Sequence, residues 1–143
     1  MGSREETLVK AIRACLTGDV QLCEEVFTRD VICTSPVLST STRDELETVL
    51  SSRRDALANI DLTIDRVVDV DVDVDVDAVT IAEWTAAADH AQPFVVPQDT
   101  RLDPSGKRLS LTGATFAEFT GTRISTIRHY FDEAGLLEQL AAG

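Results

Sequence analysis

A run of alternating valine and aspartate constrains this chain more than any other feature of its sequence. The stretch from residue 60 to residue 87 has the period-two pattern of extended backbone, and its centre repeats Asp-Val up to Asp77. A single strand of that length would span roughly 90 Å at about 3.3 Å per residue, several times the size of so small a domain. The stretch must therefore fold back on itself. The apolar positions change from even numbers up to Val76 to odd numbers from Val79, which predicts a turn or bulge within residues 71–78.

Helical periodicity precedes the extended region. Apolar residues recur at three- and four-residue spacing after Ser3 and again after Thr42, and a glutamate stands three positions after each of those residues, as in a capping box. A short helix is expected after Asp19, and a short strand is expected at residues 31–34. Three helices therefore come before the long strands.

Two further strands follow a polar loop. Residues 109–119 and 124–131 alternate in polarity, and Gly121-Thr122 between them predicts an antiparallel hairpin. Helices that come first and strands that come second are typical of an α+β domain. We expect one domain over residues 1–143, with three helices packed on one face of a curved antiparallel sheet of four long strands.

The charge balance limits the classes of partner. The chain has 13 Lys and Arg against 25 Asp and Glu, a net charge of −12. Neither a nucleic acid nor an anionic membrane surface is expected to bind so acidic a protein, because both need a basic face. Residues 1–6 form no apolar signal core and no apolar run reaches the length of a membrane span, so a cytoplasmic protein is expected. The aspartates from Asp69 to Asp77 are interpreted as a solvated convex face that protects the sheet from edge association.

Cysteine and histidine are few and scattered. Cys15, Cys23 and Cys33 show no Cys-x-x-Cys spacing, and His90 and His129 are the two histidines of the chain. The pattern favours buried, reduced thiols over a disulfide framework or a zinc site. No metal is therefore expected.

Five segments of the chain carry a family resemblance. They are the helix end at Gly18-Asp19, Trp84-Thr85, Asp89-His90, Pro104-Ser105-Gly106-Lys107 and, most specifically, GTRISTIRHYFDEAGLLEQL from Gly121 to Leu140. Together they resemble the SnoaL-like polyketide cyclases, within the superfamily of small α+β barrels related to nuclear transport factor 2. The resemblance implies a cone-shaped curved sheet, a pocket between the sheet and the helices, and a homodimer.

The resemblance also implies a reaction, the cofactor-independent cyclisation or isomerisation of a small apolar molecule that bears a carbonyl group. No organic cofactor is expected, because proton transfer beside a carbonyl group needs only a positioned acid or base and a hydrogen-bond donor. Asp132 matches the acid/base aspartate of these cyclases. Where the family pairs that aspartate with a histidine fourteen positions earlier, this chain has Glu118, so the two carboxylates are expected to share a proton. The alternatives are that Asp132 caps a helix and that Glu118 faces solvent or pairs with Arg128.

Five further residues are candidates for binding the substrate: Trp84, Arg128, Tyr130, Phe116 and His90. If Asp132 faces inward, strand alternation places Arg128 and Tyr130 on its side and His129 with Phe131 on the other. The aromatic residues are equally consistent with a packed core, and His90 with a solvated loop.

Two other functions remain open for the same fold. One is a non-catalytic module that holds a small apolar ligand or forms a dimer. The other is an epoxide hydrolase, which requires an arginine between two carboxylates inside the cavity.

Overall fold

A computed structural model describes residues 3–70, 79–96 and 100–141. The helices are α1 (Ser3–Thr17), α2 (Gln21–Val26), α3 (Arg43–Ser52) and α4 (Glu133–Ala141). The strands are β1 (Phe27–Ser35), β2 (Leu38–Thr40), β3 (Leu57–Val70), β4 (Val79–His90), β5 (Phe94–Val96), β6 (Thr100–Leu102), β7 (Arg108–Thr120) and β8 (Arg123–Phe131). None of these helices is long and apolar enough to cross a membrane.

The main sheet has six strands in the order β2-β1-β8-β7-β4-β3, and β5 pairs with β6 in a separate two-stranded ribbon. The predicted α+β class, the curved sheet and the three preceding helices are confirmed. The four long strands β3, β4, β7 and β8 pair antiparallel, as predicted. The sheet as a whole is mixed rather than antiparallel, because β1 is longer than expected and lies parallel to β8. Pairing between strands so distant in the chain leaves no local sequence signal.

Local sequence explains the start of α3 and the end of α1. Thr42 accepts a hydrogen bond from the backbone N–H of Glu45 at 3.1 Å, and the Glu45 carboxylate accepts one from the N–H of Ser41 at 2.8 Å. The predicted cap therefore forms. Gly18 ends α1 with φ +76°, and a Cβ there would lie 2.7 Å from the carbonyl oxygen of Leu50. Only glycine lets α1 approach the end of α3 this closely.

A β-bulge at Asp65 changes which residues of β3 face inward. Ile64 pairs with Trp84, but Arg66 pairs with Glu83, so Asp65 has no partner in the register. The extra residue reverses the alternation beyond it. The switch between even-numbered and odd-numbered inward positions, predicted for residues 71–78, thus already occurs at Asp65. Residues 71–78 themselves lie outside the described residues.

Asp69 consequently points to the inner face rather than to the expected convex one. Its carboxylate accepts a hydrogen bond of 2.6 Å from the hydroxyl of buried Thr80. Val68 and Val70 lie on the outer face instead, each 38% exposed. Asp69 is exposed, as predicted, but it does not lie on the convex face. The later aspartates of the run lie outside the described residues.

Helix α4 covers the end of the sheet where β8 has stopped. The last pair of the hairpin is Gly113 with Phe131, so Ser110 on β7 has passed beyond β8. The Gln139 side chain makes the hydrogen bonds to Ser110 that a neighbouring strand would otherwise make. Its amide oxygen accepts the N–H of Ser110 at 2.9 Å, and its amide nitrogen donates to the Ser110 carbonyl at 2.9 Å. Leu136 is buried beneath this helix.

Candidate functional site

A cavity lies between α1, α4 and the inner face of the sheet. Its volume, counted as the space open to the centre of a water molecule, is about 30 Å³, which suits one or two waters. Most of the wall is apolar and includes Ile12, Leu16, Leu38, Leu111, Phe131 and Leu136. The polar side chains in the wall are therefore the ones that can determine its chemistry.

His129 projects from β8 into this wall and is held by a chain of hydrogen bonds. The ring is 5% exposed. The indole N–H of Trp84 donates to the Thr115 hydroxyl at 2.9 Å, and that hydroxyl lies 2.9 Å from His129 Nδ1. The other ring nitrogen, Nε2, is buried and receives no hydrogen bond from the described residues.

The Thr115 hydroxyl fits either tautomer of His129. It can accept a hydrogen bond from Nδ1–H, which leaves Nε2 unprotonated and able to act as a base, or it can rotate and donate a hydrogen bond to Nδ1, which leaves the ring proton on Nε2. Trp84 Nε1 only donates, so it fixes the position of the hydroxyl oxygen in both states. The arrangement therefore orients the imidazole in either of its neutral tautomers.

Two thiols stand beside the imidazole. Cys15 on α1, Cys33 on β1 and His129 each offer one ligand atom, and the three atoms lie within 4.8 Å of one another. A hydrogen bond with Cys33 and the loss of hydration hold the pKa of the Cys15 thiol well above its ordinary value, whereas His129 acts in the opposite direction. Cys15 is therefore a neutral thiol at neutral pH.

Arg53 brings a positive charge to the same cavity. It follows α3, is buried, and donates from Nη2 to the carbonyl oxygen of Val37 at 3.0 Å. Burial lowers the pKa of Arg53 to about 10, so the guanidinium stays charged at neutral pH. Within the described parts of the chain, no Asp or Glu lines this cavity.

Asp132 lies at the start of α4 and outside the cavity wall. The residue is exposed, and its carboxylate accepts the backbone N–H of Gly135 at 3.1 Å. Its carbonyl accepts the N–H of Leu136 at 3.0 Å. The structure thus gives Asp132 the helix-capping role that was the alternative to catalysis.

Glu118 and Asp132 do not come together. The register pairs Glu118 with Thr126, and Phe131 pairs with Gly113, five positions away along β7. At about 3.3 Å per residue, Asp132 lies on the order of 15–20 Å from Glu118. The expected proton-sharing pair of carboxylates therefore does not form.

Four of the predicted site residues lie on the outer face of the sheet, turned away from the cavity: Phe116, Glu118, Arg128 and Tyr130. Arg128 donates to Glu118 at 3.0 Å, as the alternative reading proposed. Phe116 and Tyr130 pack edge to face with ring centres 5.6 Å apart. The expectation that Arg128 and Tyr130 share the pocket is wrong, because β8 turns His129 and Phe131 inward instead.

Trp84 and His90 are both buried, but they have different roles. Trp84 is 1% exposed and lines the cavity, so it belongs to the core and to the pocket wall together. His90 ends β4 and holds the turn at Ser105-Gly106. Its Nδ1 accepts the N–H of Ser105 at 3.2 Å, and its carbonyl accepts the N–H of Gly106 at 2.9 Å. His90 is therefore neither at the cavity mouth nor in solvent.

The buried His90 makes the stability of the fold sensitive to pH. Desolvation lowers the pKa of His90, and its Nδ1 must stay unprotonated to accept the Ser105 N–H. The unfolded chain binds this proton first as the pH falls below about 6.5, so the folded state loses stability from there downward. We expect the melting temperature to fall more steeply between pH 7.5 and 5.5 in the wild-type protein than in His90→Gln. Parallel curves would contradict this assignment.

The strongest site signal in the sequence was overlooked. Thr115 and His129 are also fourteen positions apart, and they face each other across β7 and β8. Ile127 and Phe131 flank His129 at two-residue spacing, a pattern that marks the inward side of β8. Arg53 and the two cysteines carry no comparable signal, because they reach the cavity from separate elements.

Comparisons with known proteins agree with this fold. The structure of TsrD from Streptomyces laurentii has 17% identity and a TM-score of 0.72, and the match covers 100% of this chain and 98% of that one. An LEH-like epoxide hydrolase from M. tuberculosis has 14% identity and a TM-score of 0.65, covering 98% and 86%. An NTF2-like protein of unknown function from Burkholderia pseudomallei has 16% identity and a TM-score of 0.69, covering 99% and 100%.

Sequence comparison gives the family. No protein with a curated function matches the chain significantly. The family model of the SnoaL-like polyketide cyclases, however, matches residues 6–140. That match spans every strand of the sheet and all three elements that carry Cys15, Cys33 and His129. With its curved sheet, its covering helices and its enclosed cavity, the chain belongs to the SnoaL-like polyketide cyclase family.

Proposed function

We propose that this protein is an enzyme that moves a proton on a small apolar molecule bearing a carbonyl group, by cyclisation or isomerisation. The observation that carries the proposal is the buried imidazole of His129, whose Nδ1 is held by Thr115 while Nε2 receives no hydrogen bond from the described residues. An oriented imidazole in an apolar cavity is suited to general acid/base catalysis. Membership of the cyclase family supports the same class of reaction.

Two residues of the cavity wall have separate roles in the proposed reaction. Nε2 of His129 takes a proton from the carbon beside the carbonyl, and the electron pair of that C–H bond passes into an enolate. The positive charge of Arg53 on the same wall favours the oxyanion. The enolate then attacks an electrophilic carbon or is protonated at a new position, and Nε2–H returns the proton. Nδ1 keeps its proton throughout, so the Thr115 hydroxyl accepts the same hydrogen bond before and after the transfer.

The cavity also limits the substrate. A second apolar cavity of about 10 Å³ adjoins the first, and both are lined by Leu16, Leu57, Leu111 and Leu136. Movement of these leucine side chains would join the two spaces along the inner face of the sheet. A compact, apolar molecule with one carbonyl that reaches His129 fits this geometry better than a charged one.

The small cavity favours one other candidate, a module that binds an apolar ligand without reaction. If the protein is such a module, an apolar ketone would stabilise the wild-type protein and a variant without the imidazole equally. Neither of these two proteins would catalyse exchange of the ketone's protons. Epoxide hydrolysis has no such support, because the wall contains Arg53 but no carboxylate among the described residues.

We also propose that the protein is a homodimer that pairs through the outer face of the sheet. Tyr130 is 53% exposed and Ile32 is 48% exposed on this face. Val68 and Val70 extend the same apolar surface across β3. Burying these exposed apolar side chains against a second copy of the chain would be favourable. In a twofold dimer, the same surface of each copy forms the interface.

Tyr130→Asp is expected to convert the dimer to a monomer, because each copy would bury an unpaired carboxylate in the interface. Light scattering coupled to size-exclusion chromatography measures the mass directly. Gln21→Glu adds the same charge on exposed α2, on the helix side of the molecule, and is expected to remain dimeric. A wild-type monomer at working concentration would remove the proposal.

The cytoplasm is the proposed compartment. The three cysteines are free thiols, which supports a reducing environment. The net charge of −12 supports a protein with no nucleic-acid partner and no affinity for an anionic membrane surface.

A further inference from the structure

We propose that Cys15, Cys33 and His129 form a binding site for a soft divalent cation of the zinc class. The inference goes beyond the proposed proton transfer and does not depend on it. The three ligand atoms come from α1, β1 and β8 and lie within 4.8 Å of one another. The sequence predicted no metal because the two cysteines show no short ligand spacing, but the fold brings distant residues together.

The size of the cluster fits such an ion. A point at the centre of three atoms spaced by at most 4.8 Å lies within about 2.8 Å of each of them. Zinc bonds are about 2.3 Å to sulfur and 2.0–2.1 Å to nitrogen. Each ligand atom therefore needs to move inward by less than about 1 Å, a distance that a small change of side-chain rotamer provides.

An independent observation points to the same ion. Metal-bound histidines are oriented by a hydrogen bond from the other ring nitrogen, and Thr115 lies 2.9 Å from Nδ1 in that position. The Thr115 hydroxyl is fixed in turn by the indole of Trp84. Nε2 of His129 is buried without a nitrogen or oxygen partner among the described residues, and the neighbouring Cys15 thiol is only a weak hydrogen-bonding group, so a metal ion would satisfy this nitrogen better.

The donor set selects the class of metal. Two thiolates and an imidazole suit soft or borderline ions, whereas calcium and magnesium require oxygen ligands. No carboxylate lines the cavity in the described parts of the chain. Two thiolates neutralise the divalent charge of the ion itself, which lowers the cost of holding it in an apolar cavity, while the buried guanidinium of Arg53 on the same wall favours the thiolate form of the two cysteines.

One coordination position would stay open. Cys15 and His129 line the cavity as well as the cluster, so the fourth position of a tetrahedral ion faces the enclosed space. Three protein ligands and an open position are typical of reactive zinc sites. The ion would occupy Nε2 of His129, so metal binding and proton transfer by the same nitrogen exclude each other. Zinc is therefore expected to inhibit the proposed reaction.

The test uses Co²⁺ as a spectroscopic probe with the full chain, reduced by a phosphine and stripped of metal. We expect one equivalent to bind, with thiolate-to-cobalt charge-transfer absorption in the near ultraviolet that Zn²⁺ abolishes by displacement. Cys15→Ala, Cys33→Ala and His129→Asn are each expected to weaken binding by at least about 100-fold, since even outer-shell changes cost 10- to 100-fold. Cys23→Ala removes another buried thiol outside the cluster and is expected to bind like the wild type.

The outcomes separate this site from the proposed reaction. Absence of charge-transfer absorption, or equal loss of binding in Cys23→Ala and Cys15→Ala with circular dichroism unchanged in both, would overturn the metal site. Proton exchange by the stripped protein would still support the acid/base role of His129 in that case. Exchange that appears only after Zn²⁺ is added would support the metal site and overturn proton transfer by the metal-free imidazole.

Discussion

Replacing His129 by asparagine is expected to slow proton exchange on a ketone by about 10²- to 10⁴-fold, the usual contribution of a positioned acid or base. The asparagine amide reaches the place of Nδ1, so the hydrogen bond with Thr115 can persist. The amide has no group at the place of Nε2, and it does not titrate near neutral pH. The variant therefore removes the proton carrier with little change to the packing.

The measurement is the incorporation of deuterium beside the carbonyl of small cyclic ketones in D₂O, followed by nuclear magnetic resonance. Asp132→Asn and Glu118→Gln are the controls, because one residue caps α4 and the other pairs with Arg128 outside the cavity. Both are expected to exchange at close to the wild-type rate. Loss of exchange in Asp132→Asn with full activity in His129→Asn would reverse the assignment.

Gly113→Ala is expected to lower the free energy of unfolding by about 3 kcal/mol, toward the upper part of the usual range for overpacking. A Cβ at this position would lie 2.6 Å from the Trp84 ring and 2.8 Å from the carbonyl oxygen of Tyr130. Neither group can move freely, since Trp84 is buried and the carbonyl belongs to β8. Displacing the indole would also disturb Thr115 and His129, so exchange should fall as well.

Urea unfolding measures this loss, and Gly121→Ala is the matched control. Gly121 has φ +65° in the β7–β8 turn, with open space where the new Cβ would lie. It should lose about 1–2 kcal/mol through backbone strain and leave exchange unchanged. Equal losses in the two variants would show that Trp84 adapts and that the contact does not limit the packing.

The features that the sequence predicted well depend on neighbours in the chain. The cap at Thr42, the end of α1 at Gly18 and the turn at Gly121 each follow from a few adjacent residues. The parallel pairing of β1 with β8 and the bulge at Asp65 do not. Each depends on contacts between distant strands, and a single inserted residue reverses every side chain beyond it.

The candidate site was missed for a related reason. A hairpin that turns at Gly121-Thr122 places Glu118 opposite residue 125 or 126, so its register alone excludes Asp132 as a partner. Thr115 and His129 have the same fourteen-residue spacing, and these two residues do lie opposite each other. The thiols could not be placed at all, because nothing in a single sequence indicates that α1 and β1 meet at β8.

The way Gln139 holds α4 bears on how fast the cavity exchanges its contents. Lifting α4 breaks two hydrogen bonds to Ser110, worth about 0.5–1.5 kcal/mol each, and exposes Leu136, worth about 1.5–3 kcal/mol. The open form would then make up roughly one molecule in 10² to 10⁴. A ligand could then enter only while α4 is open, so its association rate would be lower than that of an ordinary encounter by the fraction of open molecules. A ligand once enclosed would leave more slowly by the same factor and would have a long residence time.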